Sequence, residues 1–340
     1  MKPLILHGHK RPLTCVKINR DGDLLLTAAK DGVLRLWRVS DGEPLGVYNC
    51  QRAVVWSCDV THDSRFIIAA SGDSRIFVFQ LQNGRLIAEI KEEGPCKFVE
   101  WKQHPLKQNK FVLAHDDFGE TVNMSIKVYK LNLVTNELGQ GELIPQIVWT
   151  QRNYSSRCNQ CHWGPLDKEI ITSHEDGTIN IWNSETGEHF KTIQAHKMAV
   201  TCLSFGKKRL LMLTCSSDQF AKLWDTLNYE CIKTYETDRP LNACDISPLF
   251  QLDGLSGKNH IILGGGQSAE DVTTTTASEG KFQVLIYHII HQEELGSVKG
   301  HFGPINALAF LSDGSGYVSG GEDGYVRIYN FDDEYFTDKF

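Results

Sequence analysis

Three groupings in this 340-residue chain have the residue types of reactive sites. Cys158-Asn159-Gln160-Cys161-His162 has the C-x-x-C-H spacing that attaches haem, and thiols beside an imidazole also suit a metal. Gly264-Gly265-Gly266-Gln267 follows an apolar strand, Ile261 to Leu263, where a glycine run can cradle phosphate. His9 and Asp31, His196 and Asp218, and His301 and Asp323 pair imidazole with carboxylate at a constant separation of 22 residues. Such pairs can move protons. Context argues against each reading. Haem attachment needs export and an apolar pocket, and neither is indicated. Cys15, Cys58, Cys202 and Cys244 hold places like that of Cys161 in other apolar runs, so these thiols read as small packing residues. No helix pattern and no Gly-Lys-Ser/Thr follows the glycine run. A His–Asp pair that recurs in several units reads as scaffolding. The chain contains no Ser-His-Asp order, H-E-x-x-H, paired-Cys zinc hook or G-x-x-x-x-G-K string, and no enzymatic activity is expected.

The elements that position these pairs are repeats, which are sought before anything else because they decide the fold. In the last unit, Lys299 to Asn330, Gly300-His301 opens an alternating apolar run, Ile305 to Phe310. A Ser-Asp-Gly-Ser turn leads to a second run, and Glu322-Asp323-Gly324 turns into a third, Val326 to Tyr329. An aromatic stands six residues after each paired Asp, as Trp37, Trp224 and Tyr329. Looser copies place Phe79, Tyr129, Trp182 and Tyr287 in series with them. Three of the gaps between these aromatics are 42 residues; the others, 50, 53 and 63, carry insertions. Seven units of strand-length runs and polar turns resemble WD40 repeats. The resemblance implies an all-β fold, a seven-bladed WD40 β-propeller occupying residues 1–330 as a single domain, with a short C-terminal tail, 331–340. It also implies a hydrogen-bonded line across each complete blade: His9, Thr27, Asp31 and Trp37; His196, Thr214, Asp218 and Trp224; His301, Ser319, Asp323 and Tyr329. Lys2 to His7 is expected to supply the outermost strand of the last blade, closing the ring with the chain's own two ends. Phe331, Tyr335, Phe336 and Phe340 have helical spacing and are expected to dock against the propeller.

Composition bounds the function. Lys plus Arg number 35 against 42 Asp plus Glu, a net charge of −7, which argues against a surface built mainly to grip phosphates, and no direct sequence-specific nucleic-acid binding is expected. No apolar run approaches the ~20 residues of a membrane span, and the first residues lack a signal-peptide core. The ten cysteines are scattered. These features predict a cytoplasmic protein with reduced thiols, no membrane association and no cofactor. Lys207-Lys208-Arg209 is expected to be a solvated hairpin tip. Asp225, Glu236 and Asp238 are expected to form an acidic patch on the fifth and sixth blades, suited to a basic or amphipathic partner helix. The channel is expected to hold no cluster of titratable residues.

Non-repeat strings are more discriminating. YETDRPLNACDISP from Tyr235, ILGGGQSAEDVTTTTASEGKF, HQEELGSVKGHFGPINALAF and GGEDGYVRIYNF resemble the subunit I family of eukaryotic translation initiation factor 3. The start, MKPLILHGHKRPLT, and GDLLLTAAKDG are similar to that family's first blade. The resemblance thins between about Arg75 and Arg157. It implies a non-catalytic scaffold subunit that binds subunits b and g and supports pre-initiation complex assembly and scanning on the small ribosomal subunit. By analogy, Asp225, Tyr235, Glu236 and Asp238 would meet a helix of subunit b. Asp271 and Thr274, in the threonine-rich insertion, would meet subunit g. The alternative is a different cytosolic WD40 adaptor, such as a receptor-kinase-associated or RNA-assembly scaffold.

Overall fold

The computed structural model describes residues 2–50, 53–103, 109–119, 123–135, 141–152, 154–250, 258–267 and 281–337. Among the described residues, twenty-eight strands make seven four-stranded antiparallel sheets. The first blade comprises β2 (Leu13–Ile18), β3 (Leu24–Ala29), β4 (Val33–Arg38) and β5 (Pro44–Asn49). The next five blades repeat that meander as β6 (Val55–Val60) to β9 (Leu86–Lys91), β10 (Cys96–Trp101) to β13 (Gly141–Gln151), β14 (Cys158–Trp163) to β17 (His189–Gln194), β18 (Val200–Phe205) to β21 (Cys231–Glu236), and β22 (Leu241–Ile246) to β25 (Glu294–Val298). The seventh comprises β26 (Ile305–Phe310), β27 (Gly316–Gly321), β28 (Val326–Asn330) and the N-terminal β1 (Leu4–Leu6). Leu4 faces Ile328 and Leu6 faces Val326, so the two ends of the chain share one sheet and the ring closes. The third blade has the longest strands, β12 (Ser125–Thr135) and β13.

Burial follows this layering. The second strands are the driest: β19 (Leu211–Ser216), β23 (His260–Gly265) and β27 are buried at every position. They lie inside the sheet and are covered on both faces by neighbouring blades, which explains their near-continuous apolar runs. The outermost strands are mostly exposed, as in β17. Gly264 and Gly265 belong to β23, where a Cβ on Gly264 would come within 2.8 Å of Ile305 and Leu308. One on Gly265 would fall 2.0 Å from the Pro240 carbonyl. The glycine run is therefore a packing requirement of the strand.

Each of the seven innermost strands carries a register shift just after its first residue, for instance between Leu13 and Cys15, Cys158 and Gln160, and Ile305 and Ala307. A bulge re-aims the side chain it displaces. Here that side chain reaches the next blade: Thr14 donates to the Val55 carbonyl at 2.5 Å, Asn159 to Val200 at 3.0 Å, Thr201 to Leu241 at 2.7 Å and, across the closure, Asn306 to Leu13 at 3.0 Å. After β28, a short helix α1 (Asp333–Thr337) turns back onto the last two blades. Phe331 stacks on Tyr335 at 4.0 Å, and the Tyr335 hydroxyl lies 2.6 Å from His260 Nδ1. Phe336 is exposed, and Phe340 lies outside the described residues. No helix among the described residues is long and apolar enough to cross a membrane.

Candidate functional site

The His–Asp pairs sit inside blades, within hydrogen-bonded lines. In the first blade His9 Nδ1 is 3.1 Å from Asp31, His9 Nε2 is 2.8 Å from the Thr27 hydroxyl, and the Trp37 indole N–H donates to the same hydroxyl at 2.9 Å. The fifth blade repeats this with His196, Asp218, Thr214 and Trp224 at 3.1, 2.8 and 3.0 Å. Burial lowers the His196 pKa, disfavouring its cation, and Asp218 also lies below its ordinary range because backbone N–H groups and His196 outweigh its own burial. In the seventh blade His301 meets Asp323 at 3.0 Å and Ser319 at 2.8 Å. Tyr329 departs from the expected line. Its hydroxyl donates to the Lys299 carbonyl at 3.4 Å rather than to Ser319, because a phenol places its donor at the far end of the ring. A Cβ on Gly300 would fall 2.1 Å from that hydroxyl, which explains a glycine before His301.

The looser blades reach similar ends by routes the spacing did not reveal. In the fourth, His174 takes the imidazole's place from within β15 (Glu169–His174), 2.9 Å from the Thr172 hydroxyl, to which Trp182 donates at 3.0 Å. Its Nδ1 faces the Ser156 carbonyl at 2.9 Å. In the third, His115 meets Ser125, while Lys127 and Tyr129 both bond Glu92. In the second, Phe79 has no N–H to give, and the buried Ser71 hydroxyl has no partner among the described residues.

The expected partner residues do not form one patch. In β20 (Phe220–Asp225) and β21, Phe220 faces Glu236, so Asp225 and Glu236 mark opposite ends of the fifth blade. Five residue steps at ~3.3 Å separate those ends by roughly 17 Å. Asp225 is half-buried and accepts the Leu227 N–H at 2.9 Å. Tyr235 is 1% exposed, with its hydroxyl donating to the Ile289 carbonyl at 2.8 Å, so its side chain holds the fifth and sixth blades together and offers nothing to a partner. Glu236 is exposed. Asp238 is exposed and paired with Arg239 and Lys281, both at 2.7 Å. Lys281 borders the threonine-rich insertion; Asp271 and Thr274 lie outside the described residues. At Asp225's end of the ring, Leu166, Phe190 and Leu227 are more than two-thirds exposed. Lys191 donates to the Asn228 carbonyl, joining the fourth blade's outer strand to the turn that bears Leu227.

The central channel overturns the expectation that it holds no titratable cluster. The fifth residue of successive innermost strands is Lys17, Asp59, Glu100, His162, Ser204, Asp245 and Ala309. Three of these carboxylates each accept a backbone N–H from the next blade at 2.7 Å: Asp59 from Trp101, Glu100 from Trp163 and Asp245 from Phe310. Glu100 also meets His162 at 3.1 Å and Arg209 at 2.9 Å. Arg209 is therefore not part of a solvated tip; its guanidinium turns inward and also bonds the Trp163 carbonyl. Burial would raise Glu100, but Arg209 and His162 hold it well below the usual carboxylate range. Burial pushes Asp59 up to about 6 despite attraction to Lys17, and burial likewise pushes Asp245 up to about 6. Lys17 is held above its ordinary value, the pull of Asp59 and Glu100 outweighing its burial. The signal for this ring was the repeated polar residue in an otherwise apolar strand, visible only after the strands are aligned on their bulges. His162, on this ring, faces Glu100, while Cys158 and Cys161 are buried with their sulfurs turned to the Gln160 and Phe98 carbonyls, an arrangement for packing and not for haem.

Comparison with known proteins bears on the whole chain. The EIF3I family model matches residues 1–340. Eukaryotic translation initiation factor 3 subunit I of Bombyx mori is 37% identical over 340 residues, covering 100% of this chain and 98% of the relative. The protein of the same name from Schizosaccharomyces pombe is 37% identical over 342 residues, with 100% and 99% covered. That from Taeniopygia guttata is 35% identical over 340 residues, with 100% and 99% covered. These relatives are named as translation initiation factor subunits, consistent with a ring whose His–Asp pairs are tied up in blade scaffolding. With a seven-bladed WD40 propeller matched from end to end, the chain belongs to the EIF3I family, the family of subunit I of eukaryotic translation initiation factor 3.

Proposed function

We propose that this chain is a cytoplasmic, non-catalytic scaffold of initiation factor 3 that binds subunits b and g and supports pre-initiation complex assembly and scanning on the small ribosomal subunit. Family membership over all 340 residues carries this reading. The geometry supports assigning the partners to opposite ends of the ring. The end bearing Asp225 offers exposed Leu166, Phe190 and Leu227 beside a carboxylate, the pairing of apolar and acidic groups that an amphipathic basic helix needs. That surface suits subunit b. Glu236, Asp238 and the borders of the threonine-rich insertion suit subunit g at the other end.

The test is purification of the tagged protein from its native cytosol under mild salt, with mass spectrometry of its companions. Subunits b and g are expected in stable association; recovery without either would sink the proposal. Calorimetry with purified subunit b then separates the ends. Asp225→Lys and Leu227→Asp are expected to weaken that binding with little change in melting temperature. Glu236→Lys is expected to leave it intact, and the reverse pattern would exchange the two surfaces.

A further inference from the structure

Cys202, Cys215 and Cys244 bring three sulfurs within 4.8 Å of one another at the junction of the fifth and sixth blades. Cys202 and Cys215 face each other across β18 and β19, and Cys244 arrives on β22 of the next blade. All three are free thiols. Cys215 and Cys244 are buried, whereas Cys202 is half-buried and lines the channel cavity of about 370 Å³ together with Cys244. A small neutral molecule entering the channel therefore meets Cys202 first.

Sulfurs about 2.3 Å from a shared centre lie about 4 Å from one another in a planar arrangement and about 3.5 Å in a pyramidal one. The observed spacing needs only small side-chain rotations to close. The kind of centre follows from coordination number and charge. Among the described residues the cluster is three sulfurs without a fourth ligand atom from His, Asp or Glu, whereas structural zinc is almost always four-coordinate. Monovalent copper on three thiolates would leave a net negative group in a dry blade junction, which is costly. Trivalent arsenic takes three sulfurs and leaves no charge.

We propose that Cys202, Cys215 and Cys244 form a binding site for a trivalent arsenical, taken up as arsenous acid through the channel. Three S–H bonds and three As–OH bonds break, three As–S bonds form, and each thiol proton leaves with a hydroxyl as water. Arsenic stays trivalent and no electrons are transferred. Cys202 is suited to attack first, since it alone of the three is half-buried and lines the channel cavity, whereas Cys215 and Cys244 are buried. The product clips the fifth blade to the sixth. A separate pair at the junction of the first and second blades, Cys15 and Cys58, with sulfurs 4.0 Å apart, offers two ligands and serves as the internal comparison.

The experiment uses the folded full-length protein with arsenous acid, and zinc and monovalent copper in parallel. Intact-mass measurement should show one adduct, a gain of one arsenic less three hydrogens. X-ray absorption should show arsenic bonded to three sulfurs, and the melting temperature should rise. Iodoacetamide mapping of the unmutated protein should show Cys202, Cys215 and Cys244 protected together. Cys215→Ala should weaken binding by about tenfold or more, with Cys58→Ala neutral. An adduct only on unfolded protein, protection confined to Cys15 and Cys58, undiminished binding by Cys215→Ala, or tight zinc or copper uptake without arsenic would overturn the site.

Discussion

Asp323 concentrates the polar work of the closing blade. Its carboxylate lies 3.0 Å from His301 Nδ1, accepts Arg327 at 3.0 Å, and takes the backbone N–H groups of Phe302 and Tyr325 at 3.2 Å. Arg327 is 4% exposed, so Asp323→Ala strands a buried guanidinium. Removing one partner of a buried ion pair costs about 3–5 kcal/mol. Asp31→Ala in the first blade removes the His9 imidazole and backbone N–H partners, with no guanidinium among the described residues bonded to that carboxylate, for about 1–3 kcal/mol. Urea denaturation of the two variants should reproduce that order, and equal losses would contradict it. Acid should act in two steps. His196 and His301 are held below the ordinary histidine value by burial, so their stabilisation is complete above about pH 6.5 and declines below it as the unfolded chain gains protons. Asp323 resists its burial through His301 and Arg327 and is held down to about 2, so its contribution is complete above about pH 4 and disappears as pH falls through 2. Asp59 and Asp245, raised by burial, act in the opposite sense across the same window, so the histidine step is read as the stability difference between wild type and His196→Gln. A difference constant between pH 7 and 4.5, roughly the histidine window, would refute it.

At the scale of elements, closure of the ring rests on a three-residue strand. In β1, Leu6 is 3% exposed and packs with Leu13, Trp37, Val326 and Ile328, whereas Ile5 is 42% exposed. Leu6→Ala should therefore cost about 2–5 kcal/mol, while Ile5→Ala should stay within about 0.5 kcal/mol of wild type. Hydrogen exchange should quicken across Val326 to Asn330 in the first variant and not in the second; the same protection in both would mean that β1 does not secure the last blade. This strand was legible in the sequence because an apolar run, Leu4 to Leu6, precedes the first Gly-His, where an outer strand belongs. Two full His–Asp lines, and the His301, Ser319 and Asp323 part of the third, were legible for a related reason: their members lie within one blade, at spacings set by two strands and two turns. Tyr235 was misplaced because an aromatic followed by Glu236 reads as surface, while alternation along β21 turns that one side chain into the blade junction. Asp225 and Glu236 are near in sequence, yet an antiparallel hairpin sends them to opposite ends.

For the whole molecule, the rigidity of the ring depends on what joins blades whose innermost strands are not paired with one another. Hydrophobic clusters fill each junction, for example Ile171, Val200, Leu203 and Trp224 between the fourth and fifth blades. Burial of apolar area is non-directional, so it holds the blades together without fixing their relative height. The polar ring supplies that register: a side chain on one inner strand meets a backbone group at a fixed position on the next. Such partners lie about one repeat apart and vary between Asp, Glu, Gln, Asn and Thr, which hid them from a search for constant spacing. Glu100 is the most connected, accepting Trp163's N–H from the fourth blade and Arg209 from the fifth while it sits on the third. Glu100→Gln retains the shape and one acceptor oxygen but removes the charge opposite Arg209. That leaves the largely buried Arg209 guanidinium without its anionic partner, and a loss of about 3–5 kcal/mol is expected. Arg209→Met in the same background removes the stranded cation and should restore part of the loss, because a buried pair exchanged for apolar groups is often near neutral. Thermal unfolding of the two single variants and the double variant forms the required cycle. If the double variant loses the sum of the two single losses, Glu100 and Arg209 act independently, and the channel ring does not set the height of the blades.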